Sequence, residues 1–416
     1  MSAEAGAGRT REAARSLLER SGLNPANASA GVTCGLWYVF GGLPIFLSVA
    51  AALHLSTDQA SSWLLITCLT GAVAGLVLSL RYREPLAITM TIPGWVLLAS
   101  VGPRFPFPEI VGANLVAGAL ILVLGVVGVG ERVMKWLPLP IVMGMFAGSI
   151  IGYASGIFAQ MTAQPLLVGI PVAAFLLARA ARRSWLPPIA AAVVVGFASA
   201  AALGQVNVQA LAWRPPALVP AAPRFSLDAI LQLGLPLTVL TIGIGNVQGL
   251  GMLISKGYRP PIHLATIVVG VCSVVNAAFG GHQATVARNG IAILAADDAG
   301  PVEQRYVANL VATPFLLLLV VCAATASSVL RVVPVALVAT LAGLAILSAL
   351  LDALQRTVSG HLPFGALFAL IIAASPLQFL GIGSAFWALV GGLLASLVVE
   401  RDQLLGELRE QKMESG

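Results

Sequence analysis

Long apolar runs, punctuated by charges and by Pro/Gly, cover almost the whole chain. Read between those breaks, they predict segments near 31–53, 61–80, 85–101, 110–129, 136–158, 164–180, 187–203, 229–254, 262–277, 280–296, 306–325, 328–350, 361–374 and 378–399. A helix needs about 20 mostly apolar residues to cross a hydrocarbon core of about 30 Å, and runs of that order recur end to end. The expected fold is therefore an all-α polytopic membrane protein with 14 transmembrane segments. Only the two tails and the stretch 204–226 read as aqueous.

Composition agrees, because 58% hydrophobic and 10% charged residues would leave a soluble protein of this length with more apolar surface than it can hide. The net charge of +6 invites a nucleic-acid reading, but the placement of the charges explains it better. With the N-terminus in the cytoplasm, eighteen of the 23 Lys and Arg fall inside, only Arg104, Arg214, Arg224 and Arg331 fall outside, and Arg288 lies in between. This predicts a multi-pass protein of a bacterial-type inner membrane with both termini cytoplasmic and no nucleic-acid partner. The Arg-rich start lacks the short apolar core of a removable signal peptide. Cys34, Cys68, Cys272 and Cys322 sit singly in separate apolar runs, so they read as small core residues rather than metal ligands or disulfides.

Two segments are wrong for simple spanning helices. Pro85 to Ser100 carries β-branched Ile88, Thr89, Thr91 and Ile92 and then Pro93, the pattern of an extended strand running into a helix with an early proline. Gly280 to Leu294 reads the same way, with its break at Gly280 and Gly281. Strand backbone cannot face lipid, so both must be buried where protein, solute or each other satisfies them. They are the third and tenth segments, seven apart, which predicts a 7+7 inverted repeat with short broken strand-helix segments 3 and 10. Leu137 to Ile151 resembles Val332 to Ile346 in support, although any two proline-led helices with an Ala-Gly contact look alike.

Arg288 lies inside the tenth segment. A guanidinium keeps its proton, and placing it mid-bilayer costs roughly 2.5–3.5 kcal/mol on insertion scales, so it must face protein, water or an anion. Two half-helix N-termini meeting at mid-membrane would favour negative charge, and Arg288 would add planar donors suited to carboxylate or sulfate. Its other reading is a structural pairing with backbone carbonyls or with Asp297 and Asp298.

Six runs in order, SSWLL (Ser61 to Leu65), SLRYREP (Ser79 to Pro85), IPGWVLLAS (Ile92 to Ser100), GERVMKWLP (Gly130 to Pro138), GYRPP (Gly257 to Pro261) and FGGH (Phe279 to His282), resemble the benzoate/proton symporter (BenE) family. The resemblance runs from about Leu23 to Val399. It implies the fold shared with uracil transporters and sulfate permeases, with a core domain at 29–129 and 227–325 and a gate domain at 130–203 and 326–399. The tails are then 1–28 and 400–416, with an extracytoplasmic loop at 204–226. Substrate in that fold sits between segments 3 and 10, beside segment 8, and such carriers often form homodimers through the gate. The chain departs from the benzoate pattern at the site itself. Asn246 is kept, but Gln248 takes a proline position, Thr285 replaces an asparagine, and Arg288 stands where a small residue is expected. An arginine there is similar to that of sulfate permeases.

The expected substrate-binding set is Arg288, Asn246, Gln248, His282, Gln283, Thr285, Thr91, Gly94, Met90, Trp95 and Phe279, with Thr89 nearby. Asn246, Gln248 and Gln283 either orient a bound carboxylate or fix the broken helix. Met90, Trp95 and Phe279 either wall an aromatic ring or simply pack. His282 either carries a coupling proton or holds the strand as a neutral imidazole. The expected activity is secondary transport of an organic anion, benzoate or a related aromatic carboxylate, with the proton symport and core-against-gate motion that the resemblance implies. The rival is a sulfate-permease-like inorganic anion transporter or an uncoupled anion carrier. No catalytic, metal, cofactor or nucleotide motif appears in the spans, so an enzyme is not expected.

Overall fold

The computed structural model describes residues 22–128, 138–181, 188–207, 209, 213–379 and 382–404. The Arg-rich N-terminal stretch, most of the GERVMKWLP run and the tail beyond Leu404 lie outside the described residues. Among those described, seven helices are long and apolar enough to cross a membrane: α1 (Pro25–Ala52), α2 (Thr57–Tyr82), α4 (Phe107–Val127), α5 (Leu139–Ala159), α8 (Leu227–Ser255), the helix Val302–Val321 that contains α11 (Tyr306–Val321), and α13 (Val335–Ser359). Shorter apolar helices fill the gaps: α3 (Ile92–Val101), α6 (Pro165–Ala180), α7 (Pro188–Ala202), α9 (Ile262–Ala278), α10 (Arg288–Leu294), α12 (Ala323–Val332), α14 (Pro363–Ala374) and α15 (Ser384–Val399). The fold is that of a mostly helical, polytopic membrane protein.

Local chemistry sets the helix starts. Asn24 and Asn27 form a reciprocal capping box at α1, and Ser56 and Gln59 form one at α2. Proline occupies the first turn of α3, α5, α6 and α14, where its missing N–H is no loss. Two helices are not regular along their length. α1 widens into a π-turn at Tyr38–Gly42, and α8 does so twice, at Ile230–Gly234 and Thr241–Val247.

Both strand predictions have counterparts in the structure. β1 (Ile88–Met90) and β2 (Ala284–Val286) form an antiparallel pair buried in the bundle, with Thr89 opposite Thr285. The pair is extended at its ends by Thr91 N–H to Gln283 O (3.1 Å) and Ala287 N–H to Ala87 O (2.9 Å). A two-stranded sheet still has two open edges, and with no water these need other partners. On β2, Ala284 N–H donates to Ser273 Oγ (3.1 Å) and Val286 N–H to Asn246 Oδ1 (3.1 Å). Ahead of β1, Leu86 O accepts from Asn309 Nδ2 and Ser79 Oγ (3.3 Å each). Polar side chains from α2, α8, α9 and α11 thus close the sheet. A second, tiny hairpin pairs β3 (Gln378–Phe379) with β4 (Ile382–Gly383) ahead of α15.

Most helix contacts fall into two sets, which meet where α13 packs on residues 43–52 of α1. α4 lies along α9, while α2 and α1 lie along α11, with α12 also on α2; separately, α5 packs on α13 and α14, α14 on α15, and α6 on α7. Small residues allow the close approaches. A Cβ at Gly118 or Gly125 of α4 would stand 2.9 Å from the backbone nitrogens of Val274 or Ile267 in α9, and one at Gly144 or Gly148 of α5 would overlap the carbonyl oxygens of Ala366 or Leu370 in α14. The loop before α8 is tied down as well, through Val219 N–H to Ser62 Oγ (2.9 Å) and Arg224 N–H to Pro108 O (2.8 Å).

Two expectations need correction. The break expected between 325 and 328 falls instead at Val333 and Pro334, because the Ala-Ser-Ser stretch is helical within α12 and proline supplies the stop. The following helix runs to Ser359, not 350, so Asp352 and Arg356 belong to it. Glu84, next to Arg83 in the chain, accepts from the backbone N–H of Arg259 (3.0 Å). Burial raises the Glu84 carboxyl above its usual range, and that N–H partly offsets the rise.

Gly144→Val is expected to lower the thermal midpoint of the detergent-purified protein, at a cost of about 1–3 kcal/mol from overpacking against α14. Gly152→Ala, where an added Cβ meets nothing within 4 Å, is expected to be neutral or slightly stabilising. Parallel melting curves of the two variants test this assignment of close and open faces.

Candidate anion site at the paired strands

Where β1 and β2 give way to α3 and α10, a cavity of about 60 Å³ opens, lined by Thr89 to Pro93, Thr285 to Gly290, Trp37, Met143, Phe146, Ile244, Gly245, Ala349 and Asp352. One water needs only ~10–15 Å³ by the same measure, so the space holds several. Besides the two strands and the helices that follow them, four helices supply its walls: α1 gives Trp37, the π-turn of α8 gives Ile244 and Gly245, α5 gives Met143 and Phe146, and α13 gives Ala349 and Asp352. Gly245 has to be glycine, because a Cβ there would collide with Thr285 Oγ1.

Of the expected site residues, Arg288, Thr285, Thr91 and Met90, with neighbouring Thr89, line the cavity. Arg288 is the first residue of α10. Its Nη1 donates to Gln248 Oε1 (2.8 Å) and to Asp352 Oδ2 (2.7 Å), and its side chain keeps 22% exposure. Neither Asp297 nor Asp298 is its partner; Asp297 pairs with Lys256 (2.9 Å), which holds its carboxyl below the usual range. Asp352 also accepts from Arg356 Nε (3.1 Å), one turn along α13. A guanidinium held on one nitrogen by a carboxylate and an amide still has donors on its remaining nitrogens.

Several of the expected residues, Thr91 of the lining among them, hold the strands and helix starts in place. Asn246 Oδ1 anchors β2, as described above, and Gln283 Nε2 donates to Asn114 O (2.9 Å). Thr91 caps α3 through Gly94 N–H to Thr91 Oγ1 (3.4 Å). Phe279 is remote from the cavity, at the far end of the break, where its carbonyl accepts from Ser62 Oγ (3.0 Å). Asn246 Nδ2 and Gln248 Nε2 are buried donors without a protein partner, and that of Gln248 belongs to the amide that already holds the guanidinium.

His282 is fully buried and its hydrogen bonds fix its state. Nδ1 lies 3.1 Å from Trp63 Nε1, and an indole N–H can only donate, so Nδ1 is an unprotonated acceptor. Nε2 lies 3.0 Å from Thr91 O, which can only accept, so Nε2 carries the hydrogen. The ring is also stacked on Trp95 at 5.3 Å. This neutral imidazole clamps α2 to the turn before α3, and adding a proton at Nδ1 would require breaking the Trp63 bond. Of the two readings for His282, the geometry supports the strand-holding one.

Sequence reasoning missed Asp352, Trp37, Met143 and Phe146. Asp352 carried a signal, a carboxylate on an otherwise apolar helix, but the expected end at 350 placed it outside. Nothing in the sequence marks Trp37, Met143 or Phe146 as part of the site.

A bundle interrupted by two mutually paired strands, with a cavity where they meet a partly buried arginine, has the build of a membrane carrier. The chain belongs to the family of benzoate membrane transport proteins (BenE), whose model matches residues 21–398. It is 28% identical over 372 residues to the benzoate membrane transport protein of Acinetobacter baylyi, covering 89% of this chain and 94% of that one. It is also 28% identical over 365 residues to the inner membrane protein YdcO of Escherichia coli, covering 86% and 93%. Among solved structures, the transmembrane domain of the cyanobacterial bicarbonate transporter BicA shares the fold, with TM-score 0.54, 16% identity, and coverage of 92% of this chain and 97% of that one. The protein is a membrane transporter rather than an enzyme.

Asn246→Leu removes the acceptor for Val286 N–H while keeping side-chain bulk. A buried N–H left unpaired costs about 1–3 kcal/mol, so this variant is expected to melt below Asn246→Asp, which retains an acceptor oxygen. Equal melting of the two would show that the β2 edge does not depend on this bond.

Proposed function

We propose that this chain is a secondary active transporter of an organic anion, an aromatic carboxylate of the benzoate type, moved together with a proton. The observation that carries the reading is Arg288, a permanent cation with unused donors, facing a cavity whose other walls are Trp37, Met90, Met143 and Phe146. A guanidinium matches a carboxylate in shape and charge, and an aromatic and thioether wall suits a ring. The name of the A. baylyi relative supports the same substrate class.

In this reading the chain crosses an inner membrane fourteen times as two inverted halves of seven, with both termini cytoplasmic. The antiparallel pairing of β1 with β2 supports the inversion, since the two broken segments then run in opposite senses. α1 to α4 and α8 to α12 form the core domain, and α5 to α7 and α13 to α15 form the gate. The two sets of helix contacts support this division, with the boundary moved to Val333 because α12 packs on α2. Transport then consists of motion of the core, carrying the site, against a gate that dimerises with a second copy.

One observation favours an inorganic anion instead: a 60 Å³ cavity beside an arginine suits a small, highly charged solute better than a ring. Uptake of labelled benzoate, sulfate and bicarbonate into proteoliposomes separates the two. Benzoate is expected to be the transported species, with Arg288→Ala reducing uptake at least tenfold (about 1.4 kcal/mol, the size of one charge-assisted hydrogen bond) and Arg288→Lys recovering part of it. Transport of sulfate or bicarbonate but not benzoate would select the second reading, and unchanged benzoate uptake by Arg288→Ala would remove the site.

A further inference from the structure

Arg288 and Asp352 are the only charged residues in the described lining of the cavity, and they are bonded to each other at 2.7 Å. They come from different halves of the helix packing. Arg288 begins α10, beside the paired strands, whereas Asp352 lies on α13, which packs on α5. An anion that takes the guanidinium competes directly with the Asp352 carboxylate for it.

We propose that Asp352 is the proton-coupling residue of this carrier: a proton arriving on its carboxylate releases Arg288 for the incoming anion. The inference rests on the anion-carrier reading above. The charge balance supports it. Arg288, Arg356 and ionised Asp352 sum to one positive charge; a bound monoanion alone cancels that, and a monoanion with a proton on Asp352 restores it. Symport of one proton with one monoanion therefore leaves the cluster charge the same empty and loaded, so the site avoids a change in desolvation cost as it moves.

The groups around Asp352 are consistent with this role. Arg288 reaches it from α10 and Arg356 from its own helix. α5, α7, α14 and residues 43–52 of α1, which pack on α13 or beside it, carry no charged residue. Arg179 of α6 is exposed, and the ion pairs of Asp352 are with the two arginines named. Its side chain keeps 30% exposure, a route for the proton. The imidazole of His282 has neither nitrogen free.

Benzoate affinity of the full-length protein, read by ligand-induced thermal shift between about pH 6 and 8 where the probe is fully ionised, tests the proposal. Wild type is expected to bind more tightly as pH falls, by up to about tenfold per pH unit, the limit for one linked proton. Asp352→Asn is expected to bind with no pH dependence, at pH 8 with the affinity wild type reaches at pH 6, and to lose accumulation driven by a proton gradient. Asp352→Glu, read as well in case the amide variant does not fold, should keep the slope with a shifted midpoint. An unchanged slope and accumulation in Asp352→Asn would overturn the proposal. So would an unshifted midpoint in Asp352→Glu, or loss of the slope in His282→Gln but not in Asp352→Asn. Tight benzoate binding by wild type without any pH dependence would refute the coupling role and leave the carrier reading standing. No response of wild type to benzoate, sulfate or bicarbonate would bring down the carrier reading, and the coupling role with it.

Discussion

Six residues of extended backbone buried inside an apolar bundle are the constraint on which the rest of the molecule is arranged. Ile88–Met90 and Ala284–Val286 satisfy each other on one side only, and each unpaired peptide group in such surroundings costs several kcal/mol. The outer edge of β2 is therefore met by Ser273 and Asn246, and the extended backbone just ahead of β1 by Asn309 and Ser79, drawn from four different helices. The same constraint explains the pressure for small residues: helices that must reach the strand edge closely enough to bond it have no room for a Cβ at Gly245.

Once the strands are fixed, the cavity follows. Each strand hands over to a helix at an opposite end of the pair, so Thr91 and Arg288 mark two helix starts that look onto one space. His282 locks the first of these from behind, with Trp63 and the carbonyl of Thr91 consuming both ring nitrogens. A group so committed is part of the scaffold. The chemistry is left to side chains with capacity to spare, and the guanidinium of Arg288 is the foremost of them.

The broken segments were legible in the sequence because their residues violate helix preference in an otherwise apolar run: β-branched Ile88, Thr89 and Thr91 before Pro93, and the glycine pair before His282. Their mutual pairing was legible only as one option among three, since sequence shows that a strand needs partners without saying which. The π-turns of α1 and α8 left no trace, because Tyr38–Gly42 and Thr241–Val247 are as apolar as the helix around them. Asp352 was lost to a boundary rule. Asp-Ala-Leu-Gln-Arg reads as the polar end of a span, yet the ion pairs to Arg288 and Arg356 and two further turns of helix carry it onward to Ser359. Ion pairing across the chain is a tertiary fact that no window on the sequence contains. For the same reason Asp297, the acid nearest Arg288 in sequence, was a natural but mistaken partner.

On the proposed reading, the bond between Arg288 and Asp352 joins substrate recognition to domain motion. A carrier must not move its site while half loaded, and a cation that is always paired meets that need. When empty, Arg288 is bound to a carboxylate on the helix set proposed as the gate; when loaded, its partner is the substrate, so the guanidinium is paired in both states in which the core moves. Breaking such a pair without replacement would leave a partly buried guanidinium uncompensated, a cost of about 3–5 kcal/mol where burial is complete and less at 22% exposure. The penalty falls on the state in which Asp352 is protonated and no anion is bound, and it is absent from the empty paired state and from the loaded one. Those are the two states in which a symporter's site crosses the membrane, so the pairing of a single arginine at the start of α10 links proton and anion occupancy at one point.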